Sequence, residues 1–477
     1  MLEFRFDPRS VFVHQRFAQV SAVLAACAAA ATVQTVAGQL ANFDDPQVAG
    51  VGESSDAAEL VPSAAAALPP ILPGQEPGAR EKPKAVPAPT SGVAREWFGH
   101  APCCGWTHAT GDWNEARTAL SDAGFALNGS YIGEWADVVR GGISDKSAYR
   151  FLLDLNLTID LDVIAKVKGG SVFVDFQTAG TPVGDLYTGA FQAYSNIAIT
   201  GSITQISQAY YQQWLLDDTL RLKIGKVDAN TEFAFIPAAA GFINASSGYT
   251  PTILPFPTYP NPASSATAFV YPNEHFYVGA GIYHGLSEAT DDWFTIAEAG
   301  LNLDTIGPLD QARIAVGGWW HSGDFARFDG GTDEGTGGFY ALAQARAWHP
   351  ACDDEAEEAA GEACDEDESC GLWFFLQYGS ADPAVSAAAQ QFGFGSSLKG
   401  TFGDRCNDSL GVYFSLIDFS SEPAAGFTSN ELAIELYYDF AVTPSFHVKP
   451  DLQWFGNPGG VDADNAVVAA VRCTITF

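Results

Sequence analysis

What most limits how this chain can fold is a two-residue periodicity that recurs along most of its length, with no long apolar helix beside it. In the last stretch Val467, Ala469, Val471, Cys473, Ile475 and Phe477 share one face, and Val468, Ala470, Arg472, Thr474 and Thr476 share the other. A strand with that pattern has one face in an apolar medium and one in a polar medium. A soluble β-sandwich can satisfy the same rule, so composition has to decide. Only 17% of residues are charged, against nearly a quarter in ordinary soluble domains, while 13% are aromatic and 48 are glycine. Aromatic girdles and a lipid-facing wall account for both departures, and the pattern predicts an all-β fold, a transmembrane antiparallel β-barrel.

The clearest strand alternates Leu153, Leu155, Leu157, Ile159 and Leu161 with Asp154, Asn156, Thr158, Asp160 and Asp162. An acidic face is intolerable in lipid, so it must meet water in a lumen. An earlier strand sets Phe125, Leu127, Tyr131 and Trp135 against Ala126, Asn128, Ser130 and Glu134. Further segments of this kind run to Phe477, separated by Gly-, Asp- and Pro-rich turns. About fifteen are legible. Since bacterial single-chain barrels have an even number, about 16 strands are expected, the unseen one lying around Gly189–Gly201 or near Ala268. Before the barrel, residues 113–124 read as a short N-terminal helix with an Ala116, Ala119 and Leu120 stripe, ended by Gly124.

Arg5, Arg9 and Arg16 precede an Ala-rich apolar stretch too short and interrupted to span a bilayer, so residues 1–38 read as a signal peptide. Within it, Leu24-Ala25-Ala26-Cys27 has the form of a lipidation site, which competes with simple cleavage. Residues 39–95 are rich in Ala and Pro without periodicity and read as a disordered linker. Residues 96–477 then form the barrel domain. Inside it, a proline-dense segment at about 230–272 is expected to fold inward as a constriction loop or to cap the barrel from outside.

The formal net charge of −34 argues against nucleic-acid binding, which needs basic clusters, and favours cations at any mouth the chain forms. Residues 352–370 hold ten acidic and no basic residues together with Cys352, Cys364 and Cys370. A solvated loop, a cation-concentrating mouth and a calcium site are the readings weighed, the last lacking the glycine of a calcium loop. The adjacent Cys103 and Cys104, and the isolated Cys406 and Cys473, leave disulfide pairing open, and no His stands at zinc spacing beside them. His275, His284, His321 and His447 fall on predicted strands, and no hydrolase or nucleotide motif occurs. No enzyme activity, cofactor or metal is expected. A Ser/His pair on adjacent strands, which would leave no local motif, is the enzymatic alternative.

Several segments resemble the OprB family of carbohydrate-selective porins. They are GDWNEARTALSDAGFAL (Gly111–Leu127), RLKIGKVDANTEFAF (Arg221–Phe235), GFINASSGYTP and YPNEHFYVGAGIYHG, and the close from Glu431 to Gly460 with its Thr443-Pro444, Pro450-Asp451-Leu452-Gln453 and Asn457-Pro458-Gly459-Gly460 elements. Asn114 and Glu115 stand where small residues are more usual in the family. The resemblance covers about 111–477 and implies a 16-stranded barrel in the outer membrane of a Gram-negative-type bacterium that passes sugars by passive diffusion. Sugars need hydrogen-bonding groups for hydroxyls and flat rings for C–H patches. Candidate lumen residues of those types are Arg221, Lys223, Trp319, Glu435, Tyr437, Asp439, Lys449, Asp451, Gln453 and Arg472. Expected partners are sugars and outer-membrane lipid, with the chain as a homotrimer or a monomer. A general cation-preferring porin and a structural tether to the cell wall are the competing functions.

Overall fold

The computed structural model describes residues 107–181, 184–199, 201–285, 292–349, 370–400, 405 and 407–477. The signal peptide, linker, Cys27, Cys103, Cys104, Cys406 and acidic segment up to residue 369 lie outside them. Sixteen strands close on themselves in sequence order. They are β1 (Phe125–Arg140), β2 (Ser147–Asp160), β3 (Gly170–Thr181), β4 (Gly201–Leu215), β5 (Leu220–Val227), β6 (Ala263–Asn273), β7 (Phe276–His284), β8 (Trp293–Ile306), β9 (Leu309–Ala326), β10 (Thr332–Trp348), β11 (Gly371–Ala381), β12 (Ala388–Lys399), β13 (Ser409–Phe419), β14 (Glu431–Thr443), β15 (Phe446–Gly456) and β16 (Ala466–Thr476). Every neighbouring pair is antiparallel, and β1 pairs with β16 to close the cylinder.

The alternation sorts side chains as the sequence predicts. On β2, Asp154 is buried toward the lumen while Leu155 is 40% exposed on the outer wall. Ile224, Val316, Leu436, Leu452 and Val471 are likewise exposed outward, whereas Glu134, Glu298, Glu435 and Gln453 are buried inward. A water-soluble barrel would invert this order. Exposed Trp135, Tyr149 and Trp293 lie toward one rim and Phe276, Trp348 and Phe440 toward the other, at interface depth for aromatic girdles. Leu155→Arg is expected to destabilise the folded barrel by about 2–4 kcal/mol in denaturant titrations in lipid. A change within ~0.5 kcal/mol, as at an ordinary soluble surface, would contradict the outward placement.

Four details add to or depart from expectation. The unseen strand is β6 at Ala263–Asn273, near Ala268, one of the two expected places, while the segment before Gly201 is not a strand and the proline-dense loop ends at 262 rather than 272. Asp160 keeps the inward register, across from Ser171 of β3, and is exposed at the rim. It ends β2 and caps the five-residue helix α2 (Leu161–Ala165), with Oδ1 accepting from Asp162 N at 2.8 Å. The opening helix, α1 (Ala116–Asp122), is shorter than predicted and buries none of its residues. Trp113, Asn114 and Glu115 take left-handed backbone angles, which delays its start. Arg117 ties α1 to β1 by donating to Leu127 O at 2.6 Å, with its guanidinium 4.4 Å over the Trp113 ring. His275 lies in the β6–β7 turn rather than on a strand.

The barrel ends are unequal. The β6–β7, β8–β9 and β14–β15 connections are two-residue turns, and at the opposite end the β3–β4 and β5–β6 connections are long. By the rule of short periplasmic turns and longer outer loops, the two-residue turns mark the periplasmic end. β10 ends and β11 begins at that end.

Candidate functional site

Both long connections turn into the barrel instead of capping it. In the 228–262 loop, Phe233, Ala234, Ile236, Phe242 and Ile243 are fully buried, as are Tyr194, Ser195 and Ile197 in the 184–199 segment. A chain that enters a lumen must satisfy its own backbone groups. Wall carboxylates do this. Glu435 accepts from Ile243 N at 2.6 Å and Asn244 N at 2.9 Å. Glu431 accepts from Phe191 N at 2.7 Å, Gln192 N at 2.9 Å and Gly459 N at 2.6 Å. Glu298 accepts from Ala234 N at 2.9 Å and Arg313 at 2.9 Å. At the loop base, Asp228 accepts from Asn230 N, Tyr259 N and the Thr258 hydroxyl.

The two inward segments also hold each other. Asn196 N donates to Ile243 O at 2.7 Å, and Ala245 N donates to Ala193 O at 2.9 Å. Asn244, which caps the short helix α3 (Ala245–Gly248), donates its side-chain amide to Gln453 Oε1 at 3.0 Å, and Gln453 donates to Tyr194 O at 2.8 Å. The result is one composite constriction made of two loops. The other side of the 228–262 loop packs on an aromatic wall containing Phe269, Tyr277, Phe294, Trp319, Tyr340, Phe375, Tyr413 and Tyr437. Room for these rings comes from facing glycines. A Cβ at Gly317 would overlap the Tyr340 ring, and one at Gly241 would overlap the Tyr437 phenol.

The ten sequence-predicted residues all occupy the inner register, but most engage the loops rather than open water. Arg221 pairs with Glu232 of the loop at 2.6 Å, Lys223 pairs with the same carboxylate, and the Arg221 guanidinium lies 4.6 Å over Phe269. Lys449 donates to Gly241 O at 2.7 Å, pairs with Asp439 at 3.5 Å and sits 4.8 Å over Tyr437. Tyr437 packs edge-on to Phe242 at 4.9 Å. Trp319 stacks on Phe294 at 6.0 Å, and Asp451 accepts from Gln453 at 2.9 Å. Arg472 pairs with Glu134 at 2.5 Å and donates to Asn196 Oδ1 at 2.8 Å. Glu134 also takes Arg150 at 3.0 Å, and Arg150 donates to Tyr194 OH at 2.9 Å. Sequence reasoning did not single out Glu134, Arg150, Glu232, Glu298 or Arg313. Alternation alone places Glu134 and Glu298 inward, yet their partners come from distant strands and loops.

Arg221 and Lys223 are thus paired with Glu232, Arg313 with Glu298, Arg150 and Arg472 with Glu134, and Lys449 with Asp439, while Glu431, Glu435 and Asp451 are held by amide donors. Among the described residues no three His, Cys, Asp or Glu side chains gather as a metal ion would require.

Comparison with known proteins agrees with this architecture. The family model described as carbohydrate-selective porin, OprB family, matches residues 145–477. Porin B of Pseudomonas aeruginosa is 23% identical over 421 residues, covering 77% of this chain and 90% of that protein. The high-pH structure of Pseudomonas putida OprB superposes with a TM-score of 0.68 at 20% identity, covering 78% of this chain and 99% of the other. Its low-pH structure gives a TM-score of 0.52 at 19% identity over the same shares.

Proposed function

The chain belongs to the OprB family of carbohydrate-selective porins and is an outer-membrane sugar porin, and from that premise we propose that its composite two-loop constriction selects uncharged, hydroxyl-rich solutes without any covalent step. The observation that carries this reading is that cations of the narrow zone are paired with carboxylates and that Glu431, Glu435 and Asp451 are held by amide donors. An ion passing there meets carboxylates already held by backbone amides and guanidinium groups, so it gains little Coulomb energy for the hydration it loses. A sugar gives up weaker hydration and can exchange hydrogen bonds with amides and hydroxyls along the wall.

The ten candidate residues then act mainly by shaping the constriction. Arg221, Lys223, Glu435, Tyr437, Lys449, Gln453 and Arg472 set where the inward loops lie, while Trp319, Asp439 and Asp451 support the wall beside them. The net charge of −34 favours the rival reading of a cation-preferring porin. Single-channel recording in planar bilayers separates the two. Sugar selection predicts weak ion preference in reversal potentials and concentration-dependent current block by glucose or maltooligosaccharides. Strong cation preference with no block at high sugar would replace this reading with the rival one.

A further inference from the structure

Aromatic rings on the lumen wall fall into two groups. Phe294, Tyr340, Phe375 and Tyr413 are sealed beneath the inward loop with essentially no exposed surface. Phe173 of β3 and Tyr210 of β4, on the short-turn half, are different. They are direct cross-strand partners, their rings lie 5.1 Å apart and 27° from parallel, and both keep part of their surface exposed. Their direction is fixed by neighbours. Phe173 stands two residues from Asp175, which is buried inward and takes a hydrogen bond from Ser207. The inward Lys223, itself held by Glu232, places its ammonium 4.5 Å over the Tyr210 ring.

The surroundings of this pair are rich in hydrogen-bonding groups. Thr158 is the β2 partner of Phe173, Asn156 is the partner of Asp175, and Ser171 faces Gln212 one inward step nearer the periplasmic end. All but the buried Asp175 are partly exposed. In addition Gln177 Oε1 is a buried acceptor with no hydrogen-bond donor among the described residues, beside the buried carboxyl pair of Asp154 and Asp175. A solute that brings hydroxyl hydrogens, directly or through a bridging water, matches that shortage. A flat, partly exposed ring pair beside amides and hydroxyls suits a pyranose, whose C–H face lies on rings while its edge hydroxyls bond sideways.

We propose that Phe173 and Tyr210, with Asn156, Thr158 and Gln212 around them, form a second sugar-contact station on the exit side of the constriction. The proposal rests on the sugar-porin reading and adds a site to it. A permeating sugar leaves the narrow zone onto this platform instead of directly into bulk water, so the descent from the constriction is divided into two smaller steps.

The test is current-block analysis with maltotriose added from the short-turn side of the reconstituted full-length mature protein. Phe173→Leu keeps apolar bulk in the cross-strand pair and removes the flat face. It is expected to shorten maltotriose residence about threefold to tenfold, the range one ring contact supports. Phe173→Trp, which enlarges the face, is expected to lengthen residence, and it keeps the proposal testable if the leucine variant fails to fold. Equal residence times in wild type, leucine and tryptophan variants would overturn the station and leave the porin reading intact. Absence of block in the wild type would remove both.

Discussion

Glu134→Ala is expected to cost the folded barrel about 3–5 kcal/mol, the range for removing one partner of a buried ion pair. Glu134 is fully buried between Arg150 on β2 and Arg472 on β16, at 3.0 and 2.5 Å. Without it two guanidinium groups face each other in a place with little water. The loss falls on the β1–β16 seam, where the cylinder closes and where Glu134 and Arg472 are register partners. The temperature at which the folded form converts to the unfolded one in semi-native electrophoresis reads the effect. Glu134→Gln should fall between the two, since an amide still accepts from one arginine but carries no charge. Replacing Glu134, Arg150 and Arg472 together by apolar residues should recover much of the stability, because the desolvation of all three charges disappears with them. A Glu134→Ala barrel that converts at the wild-type temperature would show that the seam does not depend on this triad.

Glu435→Ala is expected to have the largest effect on permeation. Its carboxylate holds two successive backbone amides, Ile243 N and Asn244 N, at the point where the two inward segments meet. Hydrogen bonds to a charged group contribute about 1.5–3 kcal/mol each, more than the loop can replace locally. The tip should detach from β14 while Glu232 and Asp228 still hold its first turn. Single channels should then show higher and noisier conductance, together with loss of sugar block. Glu435→Gln, able to accept at one oxygen only, should lie between. Unaltered conductance and block in Glu435→Ala would mean that the aromatic packing of Phe242 on Tyr437, Tyr413 and Phe375 positions the tip alone.

The barrel was legible because lipid outside and water inside impose alternation on nearly every strand, and alternation is local. β7 at Phe276–His284 and the terminal strand are clear examples. β6 was less so, since ASSATAFVYPN follows a proline-rich run and its inward Ser265, Thr267, Phe269 and Tyr271 begin with small polar residues that read as loop. The second inward segment left no local trace at all. What draws it into the lumen is Glu431, 240 residues away from the Phe191 amide it accepts. Arg472 and Glu134 are 338 residues apart. Such pairs exist only once the strands are in register, so the sequence marks each charge as inward without revealing its partner. Asp160 adds a role that alternation does not reveal, since it meets water as expected and also caps α2 at the end of β2.

Because Glu435, Glu431 and Glu298 grip main-chain N–H groups, their hold is indifferent to which residues the inward segments carry. Every amino acid except proline offers the same hydrogen at those positions. Side chains pointing from the segments into the passage are thus released from the duty of fastening them, and can be exchanged one by one while the scaffold keeps its shape. A barrel wired in this manner can drift toward new solutes through point changes at its narrowest place, with folding left undisturbed.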